Sequence, residues 1–228
     1  MSEWWTYRLS DLLMFSAATY YRLFALVNQD VWPLQLMAGI IGLLLLASVL
    51  RGKPGPRTAA GLLGLCWAWV GWAYHARRYA DIHLAGDYFA AAFVLEAVLL
   101  GIAGWRAWLV LPAPAGSVRT GLGLLLAGLL VYPLLAPLAG RPWGQAELFG
   151  IAPDPTAIVT IGVLLAGRGR WWLWPVPLLW GVVSAMTLVE MDAGQAGAPL
   201  LPVLVALGVL GGRALRRVTV QAATEVRK

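Results

Sequence analysis

The amino-acid sequence predicts an all-α integral membrane protein. It reads as about seven transmembrane helices preceded by an N-terminal interfacial helix, with the N-terminus outside and the C-terminus cytoplasmic. Three observations carry this. Of 228 residues, 60% are apolar and only 12% charged, against about 25% charged in a soluble domain, and mean hydropathy is +0.73. The apolar residues gather into seven long stretches. The charges sort between alternate loops. A bilayer core of about 30 Å asks for roughly 20 helical residues. Hydrocarbon offers the backbone no water, so each stretch must be a helix. The strands of about ten alternating residues that build outer-membrane barrels are absent.

Residues 1–31 form the first unit, on the periplasmic side. They carry no basic segment followed by an apolar run and a small-residue cleavage site, so they are not read as a secretory signal. Ser16 stands where a helix N-cap would. The run after it mixes Tyr20, Tyr21, Leu23, Phe24 and Val27 with Arg22, Asn28, Gln29 and Asp30, which suits a helix lying in the outer interface. Asp30-Val-Trp-Pro33 predicts a break, because proline favours a first helical turn and restricts the residue before it.

The spanning domain, 32–217, holds apolar stretches at 33–50, 58–74, 88–105, 120–139, 155–167, 171–189 and 199–212. The fifth and seventh look short for a bilayer. Turn-rich connectors fill 51–57 and 111–117, and residues 218–228 read as a cytoplasmic basic tail. Trp4, Trp5, Trp32, Trp105, Trp108, Trp143, Trp171 and Trp172 fall near segment ends, as in an interfacial aromatic belt. Trp67, Trp69, Trp72 and Trp180 lie deeper and are expected to pack or to meet lipid.

Orientation follows from the loops. Placing the loops after the first, third and fifth spans with the C-terminal tail on one side gathers twelve basic residues against one acidic residue, Glu225. The other side holds five basic and nine acidic residues, and Glu96 lies within a span. Basic loops stay cytoplasmic, so the net charge of +6 sets topology and does not point to nucleic acid. The expected location is a bacterial cytoplasmic (inner) membrane, multi-pass. The partners expected are the lipid bilayer and a second copy or a membrane complex, with no nucleic acid.

Polar residues that topology does not explain fall on the outer side. Tyr74-His75-Ala-Arg77-Arg78-Tyr79-Ala-Asp81-Ile-His83 contains both histidines, and His75, Asp81 and His83 are candidate ligands for a divalent ion. Arg77 and Arg78 would repel a cation and equally suit an anionic headgroup or carboxylate. A solvated interface segment is the plain alternative. The second cluster runs from Arg141 to Thr156 and contains Glu147 and Asp154. Asp154-Pro155 looks like an N-cap followed by proline at the first helical position. The short helix after it is then expected to start below the outer surface, where its free N–H groups attract anions. Residues 147–150 become re-entrant backbone. Asp154 capping only its own helix is the alternative. Ser184, Thr187 and Glu190, with Asp192 beyond, form a stripe down one helix face. Glu96 sits about 12 Å into the third span, where an ionisable group is a functional candidate or a protonated tie between helices.

No phosphate-binding loop, dinucleotide fingerprint or haem attachment motif is present. One cysteine, Cys66, excludes a disulfide or a multi-thiolate zinc site, and no cofactor is assigned. The stretches Asp11-Leu-Leu-Met-Phe-Ser16, Asn28-Gln-Asp-Val-Trp32-Pro33, Trp69-Val-Gly-Trp72-Ala-Tyr74-His75 and Phe149-Gly-Ile-Ala-Pro153-Asp154-Pro155-Thr156 resemble an uncharacterised bacterial polytopic membrane protein family, a domain of unknown function. The resemblance covers nearly the whole chain. It implies a bacterial cytoplasmic-membrane protein of several helices and carries over no activity.

Three functions remain open. The favoured one is a small transporter or channel with a polar site opening to the periplasmic side, in which His75, Glu96, Asp154 and Glu190 converge. The second is a non-catalytic membrane subunit that scaffolds a larger complex. The third is a membrane-embedded metal-dependent hydrolase, by analogy with ceramidase-like hydrolases. Those resemble three-histidine zinc centres, and this chain has two histidines.

Overall fold

The computed structural model describes residues 15–52, 54–112 and 115–225, with side chains through 215 apart from residue 115. Trp4, Trp5, Asp11 to Met14, Lys53, Ala113, Pro114 and the last three residues lie outside the described residues, as do the side chains of Arg216 and Arg217. Among the described residues the secondary structure is helical, without a strand. The α-helices are α1 (Ala17–Asp30), α2 (Leu34–Arg51), α3 (Pro56–Val70), α4 (Gly86–Trp105), α5 (Ala115–Leu126), α6 (Tyr132–Leu138), α7 (Pro153–Ala166), α8 (Pro175–Glu190) and α9 (Gly197–Glu225). Wider π-helical turns extend α3 over Gly71–Tyr79 and join α5 to α6 over Ala127–Val131. The second of these has a local cause: Pro133 has no N–H to give to the preceding turn, and its ring pushes that turn open.

Among the described residues, five helices are long and apolar enough to cross a membrane: Leu34–Arg51, Gly86–Trp105, Gly116–Leu138, Trp171–Glu190 and Gly197–Leu215. They leave Leu36, Ile40 and Leu43 of α2, and Leu201, Leu204 and Leu207 of α9, more than half exposed. So many large apolar groups on one surface fit lipid and not water.

α1 begins where its cap allows: the Ser16 hydroxyl accepts from the Thr19 N–H at 3.3 Å. Tyr20, Tyr21, Leu23, Phe24 and Val27 face inward, and the helix ends before Pro33. The seventh apolar stretch is not short. α9 runs 29 residues to Glu225, because 213–225 contains neither glycine nor proline to stop it.

α7 is the axis of the fold. It has only 14 residues, about 21 Å at 1.5 Å per residue, and every one is buried. Helices α2, α3, α5, α8 and α9 all pack on it, so it is shielded from lipid and its length need not match a bilayer. Between apolar helices in lipid, close approach comes from small residues. At the α5–α7 crossing, a Cβ on Gly162 would lie 2.7 Å from Leu125 N and 2.8 Å from Gly121 O.

The connections segregate by end. At one end Val110 and Arg168 exchange backbone hydrogen bonds of 3.0 and 2.9 Å. Nearby, the Arg213 guanidinium donates to Leu165 O at 2.7 Å and to Ser117 Oγ at 3.1 Å, covering the C-terminal carbonyls of α7. At the other end the Asn28 amide donates to Gly144 O and Ala146 O at 2.9 and 2.8 Å. Arg78 pairs there with Asp30, and Arg141 donates to Gln195 Oε1 at 3.2 Å.

Candidate functional site

The segment before α7 is folded inward, and its own groups shape it. Ala146, Glu147 and residues 149–152 are buried, so their backbone needs partners inside the protein. Gly150 takes φ +73°, open to glycine at little cost, and the Cys66 thiol approaches the place a side chain would occupy. The Gly150 N–H donates to Thr156 Oγ1 at 2.9 Å, and that hydroxyl donates to Ala152 O at 2.7 Å. One turn on, Thr160 receives the Trp67 indole N–H at 2.8 Å.

The helix starts at Pro153, with Ala152 in the cap position. Asp154 is therefore not the N-cap that the Asp-Pro pair suggests; it lies one position inside the first turn, and its carboxylate reaches across to other helices. The Trp180 indole N–H donates to Oδ1 at 2.7 Å. The Ser184 hydroxyl and the Tyr132 hydroxyl both meet Oδ2, at 2.7 and 2.5 Å. Trp180 and Ser184 stand one turn apart on α8 and so present the same face. Asp154 is 1% exposed, and the positive N-terminal end of α7 lies under it.

This donor set has a chemical consequence. An indole only donates, so Oδ1 stays an acceptor whatever the charge of Asp154. The two hydroxyls at Oδ2 donate or accept by rotating. The carboxyl can therefore take up or release a proton at Oδ2 while keeping its three contacts.

Glu147 is buried beside this cluster, with Oε2 unpartnered. Burial first, then the charge of Asp154, hold its carboxyl well above the usual glutamate range, with Arg141 opposing. Arg141 lies 3.6 Å over the Tyr21 ring, and its Nε and one terminal nitrogen are buried without a partner. Gln195 donates to the Tyr21 hydroxyl. Tyr21, Leu135, Leu138, Arg141 and Gln195 line an open pocket of about 420 Å³.

The segment 75–83 divides into different environments. His75 is fully buried, its ring centroid 4.4 Å from Phe93 and 4.8 Å from Trp180, and neither ring nitrogen has a partner. Arg77 and Asp81 are exposed, with Arg77 over the Trp72 ring at 5.5 Å. Arg78 is taken up by Asp30. His83 stacks on Tyr79 at 5.0 Å, and its Nδ1 accepts from the Ala85 N–H at 2.9 Å. Half-burial lowers the pKa of that imidazole. Both histidine rings contact Tyr79 and Phe89. The ligand set His75, Asp81 and His83 does not converge, and among the described residues no group of three His, Cys, Asp or Glu side chains is placed to hold a metal ion.

On α8 the stripe is polar at the cluster only through Ser184. Thr187 donates to the carbonyl of Val183 at 2.9 Å, one turn back. Glu190 and Asp192 are exposed at the helix end. Glu96 lies on the buried face of α4 with Ala90, Phe93, Leu100 and Ala103, and neither carboxyl oxygen has a partner. Of the four residues expected to converge, Asp154 and His75 meet through Trp180. Glu96 follows one turn beyond Phe93, and Glu190 stays apart.

Tyr132 and Trp180 were not among the expected site residues. Trp180 reads as a packing residue in an apolar stretch; its i, i+4 relation to Ser184 is the signal that points inward. For Tyr132 the only hint is a hydroxyl-bearing side chain beside a helix-perturbing proline.

Residues 17–210 match the family model DUF6064, described as a family of unknown function. No curated protein and no solved structure matches the chain.

Proposed function

The chain belongs to the DUF6064 family of unknown function, and from that premise we propose that it is a small transporter or channel of the bacterial inner membrane. It crosses the bilayer about seven times, and its polar site opens to the periplasmic side. The observation that carries this reading is the Asp154 cluster. A carboxylate at the N-terminus of a wholly buried helix takes hydrogen bonds from three side chains of α6 and α8. A membrane protein needs no charged group at its axis for stability, and buried ionisable residues in such proteins mark ion and solute paths. A short helix beginning inside the protein, preceded by irregular backbone, is how transporters build such sites.

The pocket at Arg141, Tyr21 and Gln195 gives the vestibule, with Glu147 between it and Asp154 in the chain. In this reading residues 1–31 lie at the periplasmic surface, 32–217 span the membrane, and 218–228 form the cytoplasmic tail into which α9 continues. The basic connectors at the Val110–Arg168 end face the cytoplasm.

The test is flux through purified protein in liposomes, using a panel of protons, other small monovalent cations, anions and uncharged solutes, with Asp154→Asn as the variant. The reading expects a flux above protein-free liposomes that Asp154→Asn abolishes while the variant keeps its fold. Flux of every solute at the protein-free level, or an undiminished flux in the variant, refutes it.

A further inference from the structure

Two buried ionisable groups have no role in the hydrogen-bonding of the Asp154 cluster. His75 and Glu96 are each fully buried, and all four of their side-chain polar atoms lack a partner. A buried polar group without a partner is costly, and a native structure rarely keeps one without a reason. Two at neighbouring depth in one apolar core is a pattern.

Their placement is ordered. Trp180 links the first pair, its N–H on Asp154 Oδ1 at 2.7 Å and its ring centroid 4.8 Å from that of His75. Phe93 packs on His75 at 4.4 Å and on Trp180 at 5.1 Å. Glu96 is three residues further on the same buried face of α4, about 4.5 Å along the axis. Asp154 and His75 thus share Trp180, and His75 packs on the face of α4 that carries Glu96, with no direct hydrogen bond joining the three groups. The other titratable groups against His75 are Tyr74, Tyr79 and His83. Tyr79 and Tyr74 stack on each other at 5.6 Å. The donors to Asp154 are the neutral groups of Tyr132, Trp180 and Ser184, and the Arg78–Asp30 ion pair involves neither buried acid.

We propose that the ion moved through this protein is the proton, carried along Asp154, His75 and Glu96. The proposal rests on the transporter or channel reading and names its ion. Asp154 holds a proton at Oδ2, where Tyr132 and Ser184 turn to suit either charge. The proton passes through a bridging water to one ring nitrogen of His75, leaving a carboxylate behind and forming an imidazolium. The proton on the opposite ring nitrogen then passes through a second bridging water to the Glu96 carboxylate, giving a neutral carboxyl and a neutral imidazole in its other tautomer. Each step moves one proton and leaves no net charge created. A relay needs a proton donor on one side of the ring and an acceptor on the other, and neither His75 nitrogen is tied to another protein group, so both can take a bridging water. The aromatic collar of Phe89, Phe93, Tyr79 and Trp180 keeps larger hydrated ions from the same route.

The experiment is proton influx into liposomes containing the full chain, driven by a valinomycin potassium potential and read by entrapped pyranine. Wild type is expected to acidify the lumen well above protein-free liposomes. Glu96→Gln, His75→Gln and Asp154→Asn are expected to fall to the protein-free level, while Glu96→Asp, which keeps a titratable group, retains part of the flux. Circular dichroism of each variant separates loss of transport from loss of fold. Proton flux by Glu96→Gln and His75→Gln equal to wild type, with Asp154→Asn inactive, overturns the relay and leaves the Asp154 site standing. Wild-type flux of another ion without protons also overturns the relay. Undiminished flux in Asp154→Asn removes both.

Discussion

Replacing Asp154 separates its charge from its hydrogen bonds. In Asp154→Ala the Trp180 N–H loses its only acceptor in a site with almost no solvent, and Tyr132 loses its partner. Each orphaned group costs about 1–3 kcal/mol. Ser184 escapes, because its hydroxyl can turn back to the carbonyl of the preceding turn as Thr187 does. Removing the carboxyl also relieves its own burial, which offsets part of the loss. The expected net destabilisation is about 2–3 kcal/mol. In Asp154→Asn the amide oxygen takes the Trp180 N–H and the NH₂ group donates to the hydroxyls, so the loss is about 1 kcal/mol or less. Reversible unfolding in mixed micelles, followed by far-UV circular dichroism, measures both. An alanine variant within about 0.5 kcal/mol of wild type, inside the usual range for neutral changes, would mean that the three hydrogen bonds do not hold this site together.

Asn28→Ala removes both donors that hold the 144–146 turn to α1, and should cost about 1–3 kcal/mol; faster amide hydrogen exchange confined to 141–150 is the accompanying sign. Gly162→Val places a side chain against the backbone of α5, with an expected loss of about 1–3 kcal/mol or more from overpacking, read as a lowered melting temperature. Glu147 gives a pH prediction. Its folded pKa is raised, so its contribution to stability is complete below the ordinary glutamate value and is lost as pH rises through the folded value. Unfolding free energy should decline with rising pH in wild type, and Glu147→Gln should flatten that decline.

Sequence and structure agree where one kind of physics dominates. Apolar length placed the helices, since hydrocarbon forces the backbone to satisfy itself locally, and the Ser16 cap and the break before Pro33 are local events read from neighbouring residues. The short fifth stretch was visible for the same reason. Its position was not: whether α7 lies at the rim or at the axis depends on Gly121, Gly128 and Gly162 letting α5 close on it, a relation across some forty residues. Asp154 was legible as a candidate but not as an acceptor for Tyr132, Trp180 and Ser184, because those partners come from other helices. His75 and His83 look alike in sequence. Only packing separates the fully buried ring between Phe93 and Trp180 from the half-buried one at the loop.

The most direct test of the site's access is chemical. Gln195→Cys, placed in a Cys66→Ala background so that it carries the only thiol, puts a reporter in the pocket that the reading takes as the vestibule. Intact cells with a permeable outer membrane, treated with a membrane-impermeant thiol reagent, should label this cysteine from the periplasmic side. Inside-out vesicles should not. Labelling only from the cytoplasmic side, or from neither side while the unfolded protein labels fully, would contradict a polar site open to the periplasm.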